Sequence, residues 1–519
     1  MGRITRRAFS TGAISLGAAL PGQAAKASSA STRVSSVVTV KEFGAVGDGI
    51  TDDTEAFNRA CRSHERWSTS LEYNIVVPAG HYRIDGTVYV RKGQKLSGEG
   101  YGSFIDASHR AAGATFILGA GVVNGKVVQD EGGSPVGISN FRTLGGAGSD
   151  GFIKTEAQGF SISRMFMSAV GVGMEISGAD GLISEIEIDQ CLSGIVFSNA
   201  QNISVTGLNI YLPNYGVTFK SRCNDIILSN CIFSYTRYSS VLVYNGSSNI
   251  KSVQFNSCIF SNNEQYTTFN AYVLIMGSDC EIRCSACIFR NWSGPALNHL
   301  SGGGVTLACS DCTFDGSPSN KVYAASDKSS GLVTGHAGTY EFADCSFRNL
   351  AGALVTLNDG LISLSLVGGA IVNCGANLID CNTRDHCELI IRNVSGFVRR
   401  FESDAYSYGV LPCWPVTAIW RVTAKGRLKT RDGRETAFAE EAIIMVTDTD
   451  NETAVEKNSL WKIQSSENDL PLAMEISLGS KPGKLLRQKS DHRKAKAICV
   501  AIPKGEFNIE RLNWSAETA

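Results

Sequence analysis

Three carboxylates, Glu264, Asp315 and Asp327, sit on stretches of uneven length between short apolar runs. Hydrolysis of a glycosidic bond needs two carboxyls, one protonated as the acid, at roughly 5–9.5 Å. The same stretches carry Tyr235, Arg237, Tyr238, Tyr266, Arg290, Trp292, Tyr323 and Lys328. Rings beside charges suit sugars, because a ring stacks on the sugar face while polar groups fix the hydroxyls. A second chemistry, elimination from an acidic sugar, needs a base near the α-proton and a cation on the carboxylate. Lys220, Arg237, Lys328 and His299 are the residues to supply it. The candidates for catalysis are therefore Glu264, Asp315, Asp327 and His299, with Lys220, Arg237, Tyr244, Tyr266, Trp292 and Lys328 as substrate contacts. The acidic run Glu185, Glu187, Asp189 reads as a solvated face. No His pair has zinc-type spacing and neither a metal nor a cofactor is expected.

Those residues must be placed by a repeat. Five segments share the pattern apolar, x, apolar, x, small-or-polar, Cys, x, Phe. Their cysteines are Cys231, Cys258, Cys287, Cys312 and Cys345, each followed two positions later by Phe233, Phe260, Phe289, Phe314 or Phe347, at steps of 27, 29, 25 and 33 residues. Such a period with alternation inside each unit means stacked coils of short strands, an all-β solenoid. Alternation turns Ile226 and Leu228 inward, and Asn230, Ser257, Ala286, Asp311 and Asp344 mark a tight left-handed bend. The inward cysteines read as small fillers stacked on one another, free rather than bridged. A preceding strand in each coil has the inward pairs Met174/Ile176, Ile195/Phe197, Val217/Phe219, Val241/Val243 and Val273/Ile275. Glu175, Lys220, Tyr244 and His299 are expected to point outward from it. Return connections at 234–240, 261–271, 290–295, 315–330 and 348–352 vary most in length, as functional loops on a rigid scaffold do.

The run Val40-Lys41-Glu42-Phe43-Gly44-Ala45-Val46-Gly47-Asp48-Gly49-Ile50-Thr51-Asp52-Asp53-Thr54-Glu55-Ala56-Phe57 resembles the opening motif of the pectate-lyase-like superfamily. Ile75 to Ile84 and Leu96-Ser97-Gly98-Glu99-Gly100 are similar to the strand and turn that follow it. The resemblance is close over 38–102 and looser to about 400. It implies a right-handed, single-stranded parallel β-helix, as in polygalacturonase-like enzymes, polysaccharide lyases and phage tailspikes. It further implies a helix near Thr51 or Asp52 to Cys61 covering the open end, and substrate along the first-strand face. The hydrolase motifs of that superfamily are not matched. There is no Arg-Ile-Lys, the adjacent Asp pair Asp52-Asp53 lies in the opening motif, and Gly335-His336-Ala337-Gly338 only approaches Gly-His-Gly. No catalytic residue is carried over.

Around this core, Thr5-Arg6-Arg7-Ala8-Phe9 with the apolar run to Leu20 and Ala25-Lys26-Ala27 resembles a twin-arginine export signal, giving residues 1–27 as leader. Residues 28–415 form the helix with its cap, and 416–519 a small β-rich module beyond Pro412-Cys413-Trp414-Pro415. That module carries a basic stretch from Lys481 to Lys496. A periplasmic or secreted location follows, with no integral membrane segment once the leader is removed. A net charge of −1 and 19% charged residues give no general pull towards nucleic acid. The expected partner is a polysaccharide, with a homo-oligomer compatible. The reading is a carbohydrate-active lyase or hydrolase; the rivals are a non-catalytic glycan-binding or surface-assembly helix and a sugar epimerase.

Overall fold

The computed structural model describes residues from Val37 onward, except 64–72, 111, 131–133, 146–150, 245–248, 263–270, 292–294, 301–303, 317–332, 336–337 and segments between strands after 350; side chains are described to Ile371. The coils form a right-handed parallel β-helix. Twelve first strands stack into one parallel sheet, from Val88–Val90 to Ile379–Cys381. The second and third strands of each coil belong to one large parallel sheet, folded along a line of left-handed residues. That line runs Asn140, Arg164, Glu185, Gly207, Asn230, Ser257, Ala286, Asp311 and Asp344, with φ between 51° and 66°. The bend keeps one side chain inward on each flank, so the corner stays packed.

Inside, the expected inward pairs are all buried, and the register locks each onto its counterpart one coil away: Ile195↔Val217↔Val241↔Val273. The phenylalanines form a continuous stack. Phe233–Phe260, Phe260–Phe289, Phe289–Phe314 and Phe314–Phe347 lie 5.0, 4.6, 4.6 and 5.3 Å apart, tilted by no more than 11°. The five ladder cysteines are buried and free. They are more than fillers. Each thiol faces the backbone carbonyl two residues before it, at 3.3–3.5 Å, across the bend. Sulfur is a weak donor, and the carbonyls of Asn256, Ser285, Ser310 and Ala343 already accept a backbone amide from the neighbouring coil, so the thiol adds a second, weak contact to each.

The opening motif builds the closed end. Thr54–Arg62 is an α-helix, and the Asp52 carboxylate takes its first amide, Thr54 N–H, at 3.0 Å. Asp53, 1% exposed, accepts from Val46 N–H at 2.6 Å and Gly47 N–H at 3.0 Å. Phe57 seals the coil edge-on to Tyr82, 5.4 Å between centroids. At the other end the parallel ladder stops at Cys387–Arg392. Two four-stranded antiparallel sheets follow, and the pair Arg399–Glu402 with Tyr406–Pro412 already belongs to one of them.

Candidate functional site

On the outward face of the first strands, register sets one column: Lys154, Glu175, Val196, Thr218, Leu242, Leu274, Asn298. The column changes character along its length. Lys154 and Glu175 stand 3.8 Å apart in a half-exposed ion pair. Val196, Thr218, Leu242 and Leu274 are buried, and Leu242, Ala271 and Leu274 form a small apolar cluster with Tyr215 and Met276 packed on it. At Asn298 the side-chain Oδ1 is buried with no hydrogen-bond partner among the described residues.

Tyrosines from two successive return connections gather at the edge of this floor. Arg237 N–H donates to Pro213 O and Tyr238 N–H to Asn214 O, which ties one connection to the next. Tyr215 and Tyr238 then pack at 5.4 Å with their rings tilted by 34°, and the Arg237 guanidinium lies 5.3 Å from the Tyr238 ring centre. Burial pushes the Tyr215 hydroxyl above its usual value of 10.0, and the neighbouring Tyr238 and Tyr244 hydroxyls add to it. A second pair, Tyr211 and Tyr235, meets edge-on at 5.0 Å one strand away. Tyr235 holds φ 56° to do so. The edge is aromatic and cationic, with a half-buried phenol under it.

The sequence candidates are distributed unevenly around this edge. Arg237 is in it, Tyr244 flanks it, and Lys220, exposed, follows the far end of the first strand Tyr215–Phe219. Asp315 is not on a loop but is the last residue of the strand Thr313–Asp315. There it sits in register between Arg290 and Arg348 and accepts from Asn349 Nδ2 at 2.7 Å. His299 must be corrected. It does not face outward but inward, 1% exposed, stacked on Ile275, with Nδ1 2.9 Å from the buried Tyr340 hydroxyl. Alternation from Leu297 forces this, because residues two apart share a face. Glu264, Tyr266, Trp292, Asp327 and Lys328 lie outside the described residues. Tyr211 and Tyr215 were not singled out from the sequence. Their signal was there, as aromatic residues on either side of the Leu212–Asn214 connection.

The acidic run is also resolved residue by residue. Glu185 occupies the left-handed bend and points to solvent, as does Glu187. Asp189 is different: burial pushes its carboxyl above 3.8, against a bond from the Gln190 amide, and its Oδ1 is buried without a hydrogen-bond partner among the described residues. Among the described residues no group of three His, Cys, Asp or Glu side chains converges as a metal site would require.

A parallel solenoid closed by that helix, with side chains gathered along its first-strand edge, is the architecture of the pectate-lyase-like proteins. The chain belongs to the rhamnogalacturonase A/epimerase, pectate lyase-like family, which matches residues 37–316, over half its length. It is 23% identical over 384 residues to a probable polygalacturonase of Arabidopsis thaliana, covering 64% of this chain and 81% of that one. It is 34% identical over 82 residues to a non-secreted LysM effector of Penicillium expansum, spanning only 6% of that protein. Among solved structures it is similar to the A-module of the Azotobacter vinelandii mannuronan C-5 epimerase AlgE6, with 15% identity, TM-score 0.47, and 69% and 99% of the two chains covered. It is likewise similar to the tailspike gp61 of Pseudomonas phage phi297, with 12% identity, TM-score 0.47, and 93% and 100% covered.

Proposed function

We propose that the protein is exported, periplasmic or secreted, and acts on an acidic polysaccharide laid along the return-connection edge of its first-strand face, by lyase chemistry. The observation that carries this reading is the Tyr215–Tyr238–Arg237 cluster beside a buried apolar floor. Such rings offer a sugar face, and a guanidinium with rigid donors pairs with a carboxylate better than with neutral hydroxyls. The described edge carries cations and phenols instead of a facing carboxyl pair. That favours elimination: a cation on the uronate carboxylate acidifies the neighbouring α-proton, a base takes it, and the bond from C4 to the glycosidic oxygen breaks as the C4=C5 double bond forms, the leaving oxygen taking its proton from water. Arg237 and Lys220 are the cations this reading uses.

Hydrolysis is the second reading, favoured by one observation. Asp189, held towards its protonated form, and the exposed Glu187 stand two residues apart on one strand face, about 6.6 Å at the usual rise. That lies in the range for an acid and a base across a glycosidic bond. Incubation with a panel of acidic and neutral polysaccharides separates the readings. Ultraviolet absorbance of an unsaturated uronate end, reduced about 100-fold in Arg237→Gln, is the expected result. New reducing ends without that absorbance, lost in Asp189→Asn, would transfer the function to the second reading. A panel in which no polymer is shortened would sink both.

A further inference from the structure

On the outward side of the third strands, register builds one column through the whole solenoid: Asp48, His81, Phe104, Arg142, Phe166, Glu187, Asn209, then Ile232, Ile259, Ile288, Thr313, Ser346. The later half is filled as the outside of a sheet is expected to be filled, with β-branched and small residues. The earlier half is not. Two half-exposed phenylalanines flank an arginine there, and Tyr101, 68% exposed, leans across the intervening strand to reach Phe166 at 6.0 Å. His81 packs on Phe104 at 4.5 Å, the rings tilted by 31°, and the Arg142 guanidinium lies 5.1 Å from the same ring centre. Packing alone would not select this set. Single aromatic residues are ordinary on strands, but rings that stay in contact with water side by side gain little from burial, and a contiguous exposed set of this kind marks a contact surface.

The charges in the column are not equivalent. Asp106, beside it, is already occupied by His81 Nε2 at 3.2 Å and by the Ser108 amide and hydroxyl at 2.9 and 2.6 Å. Arg142 is exposed and makes no ion pair or hydrogen bond among the described residues. Its five donors are left without a partner among the described residues, beside a ring on which the guanidinium rests. A flat cation between two rings, on rungs about 4.8 Å apart, suits a chain that alternates ring faces with carboxylates.

We propose that this strip is a second glycan-binding surface, which takes an acidic polysaccharide with Arg142 on its carboxylates and Phe104, Phe166 and Tyr101 on its sugar faces. It lies on a different face from the Tyr215–Tyr238–Arg237 edge. It shares only the ligand class with the function proposed above and rests on that reading for it. The strip would hold a long polymer while the edge works on it.

Binding of the full chain to polygalacturonate and to its fully methyl-esterified form, at low and high salt, tests the assignment. Arg142→Gln should weaken polygalacturonate binding about tenfold, a step of about 1.4 kcal/mol. It should leave binding of the ester, the melting temperature and turnover of short oligosaccharides unchanged. Tyr101→Ala should weaken binding of both polymers. Arg237→Gln should reduce turnover about 100-fold yet retain the salt-sensitive binding that Arg142 confers. Wild-type affinity in both Arg142→Gln and Tyr101→Ala, with the parent binding polygalacturonate, would overturn the strip and leave the edge reading standing. A parent that binds neither polymer would remove both. A change in oligomeric mass in Arg142→Gln, without a change in glycan affinity, would make this face a contact between copies and overturn the proposal.

Discussion

Asp53 shows how a carboxylate in a promising motif can be structural. It is buried, and two backbone amides, from Val46 and Gly47, end on its oxygens. Asp53→Ala would strand both donors, so thermal unfolding should report a loss of about 1–3 kcal/mol while glycan turnover per folded molecule stays the same. Asp106 gives a pH signature in the same region. Burial pushes its carboxyl up, but the Ser108 hydroxyl and amide and His81 outweigh that and hold it below 3.8. A folded value below the unfolded one contributes stability that is present above pH 3.8 and lost as pH falls below it through the folded value. Melting curves across this acid range should show the loss, and Ser108→Ala should flatten it; an unchanged acid limb would assign the acid sensitivity elsewhere. Residue by residue, the sequence was legible where a side chain's alternation could be counted. His299 shares a column with Ile275, and counting from Leu297 turns it inward; its appeal as a base obscured that count. Asp189 and Glu187 look alike in sequence, and only the packing around the strand end separates a half-buried carboxyl from an exposed one.

At the scale of the strand and its bend, the Cys-x-Phe spacing was legible because period and alternation agree over five coils. The role of sulfur was not, since the carbonyl it faces belongs to the bend and has no sequence signature. Phe289 lies in the middle of the ring stack, in contact with Phe260 and Phe314. Phe289→Ala should cost about 3–5 kcal/mol. In a double mutant with Phe260→Ala the costs should fall short of additive, because the two share one interface; additive losses would mean that the rings pack independently. Ala286 holds φ 52° in the bend line, where Gly207 stands two coils earlier than Ser257. Ala286→Gly should therefore raise stability by about 0.4–1 kcal/mol in denaturant unfolding, the reverse of the usual effect of glycine in a strand.

Over the whole molecule, coils that touch only their neighbours make stability accumulate lengthwise, so a lesion in one coil should open that region before the rest. The leader was legible as composition and lies outside the described residues; export remains part of the proposal. Replacing Arg6 and Arg7 by Lys should leave the precursor in the cytoplasmic fraction, and normal export of that variant would point to a general secretory route. Routes of export differ in whether the chain travels closed or open, and the thiol column makes that difference visible. Burial raises Cys61, Cys191 and Cys280 to about 12 and Cys223 to about 11, so in closed coils these sulfurs are neutral and out of reach. An extended chain entering an oxidant would instead offer sixteen cysteines to one another in many combinations. The redox state of the isolated protein is thus a travel record: free thiols at the eleven buried cysteines after denaturation mean that the coils closed before the oxidant was met, and mixed disulfides among them mean that they closed after.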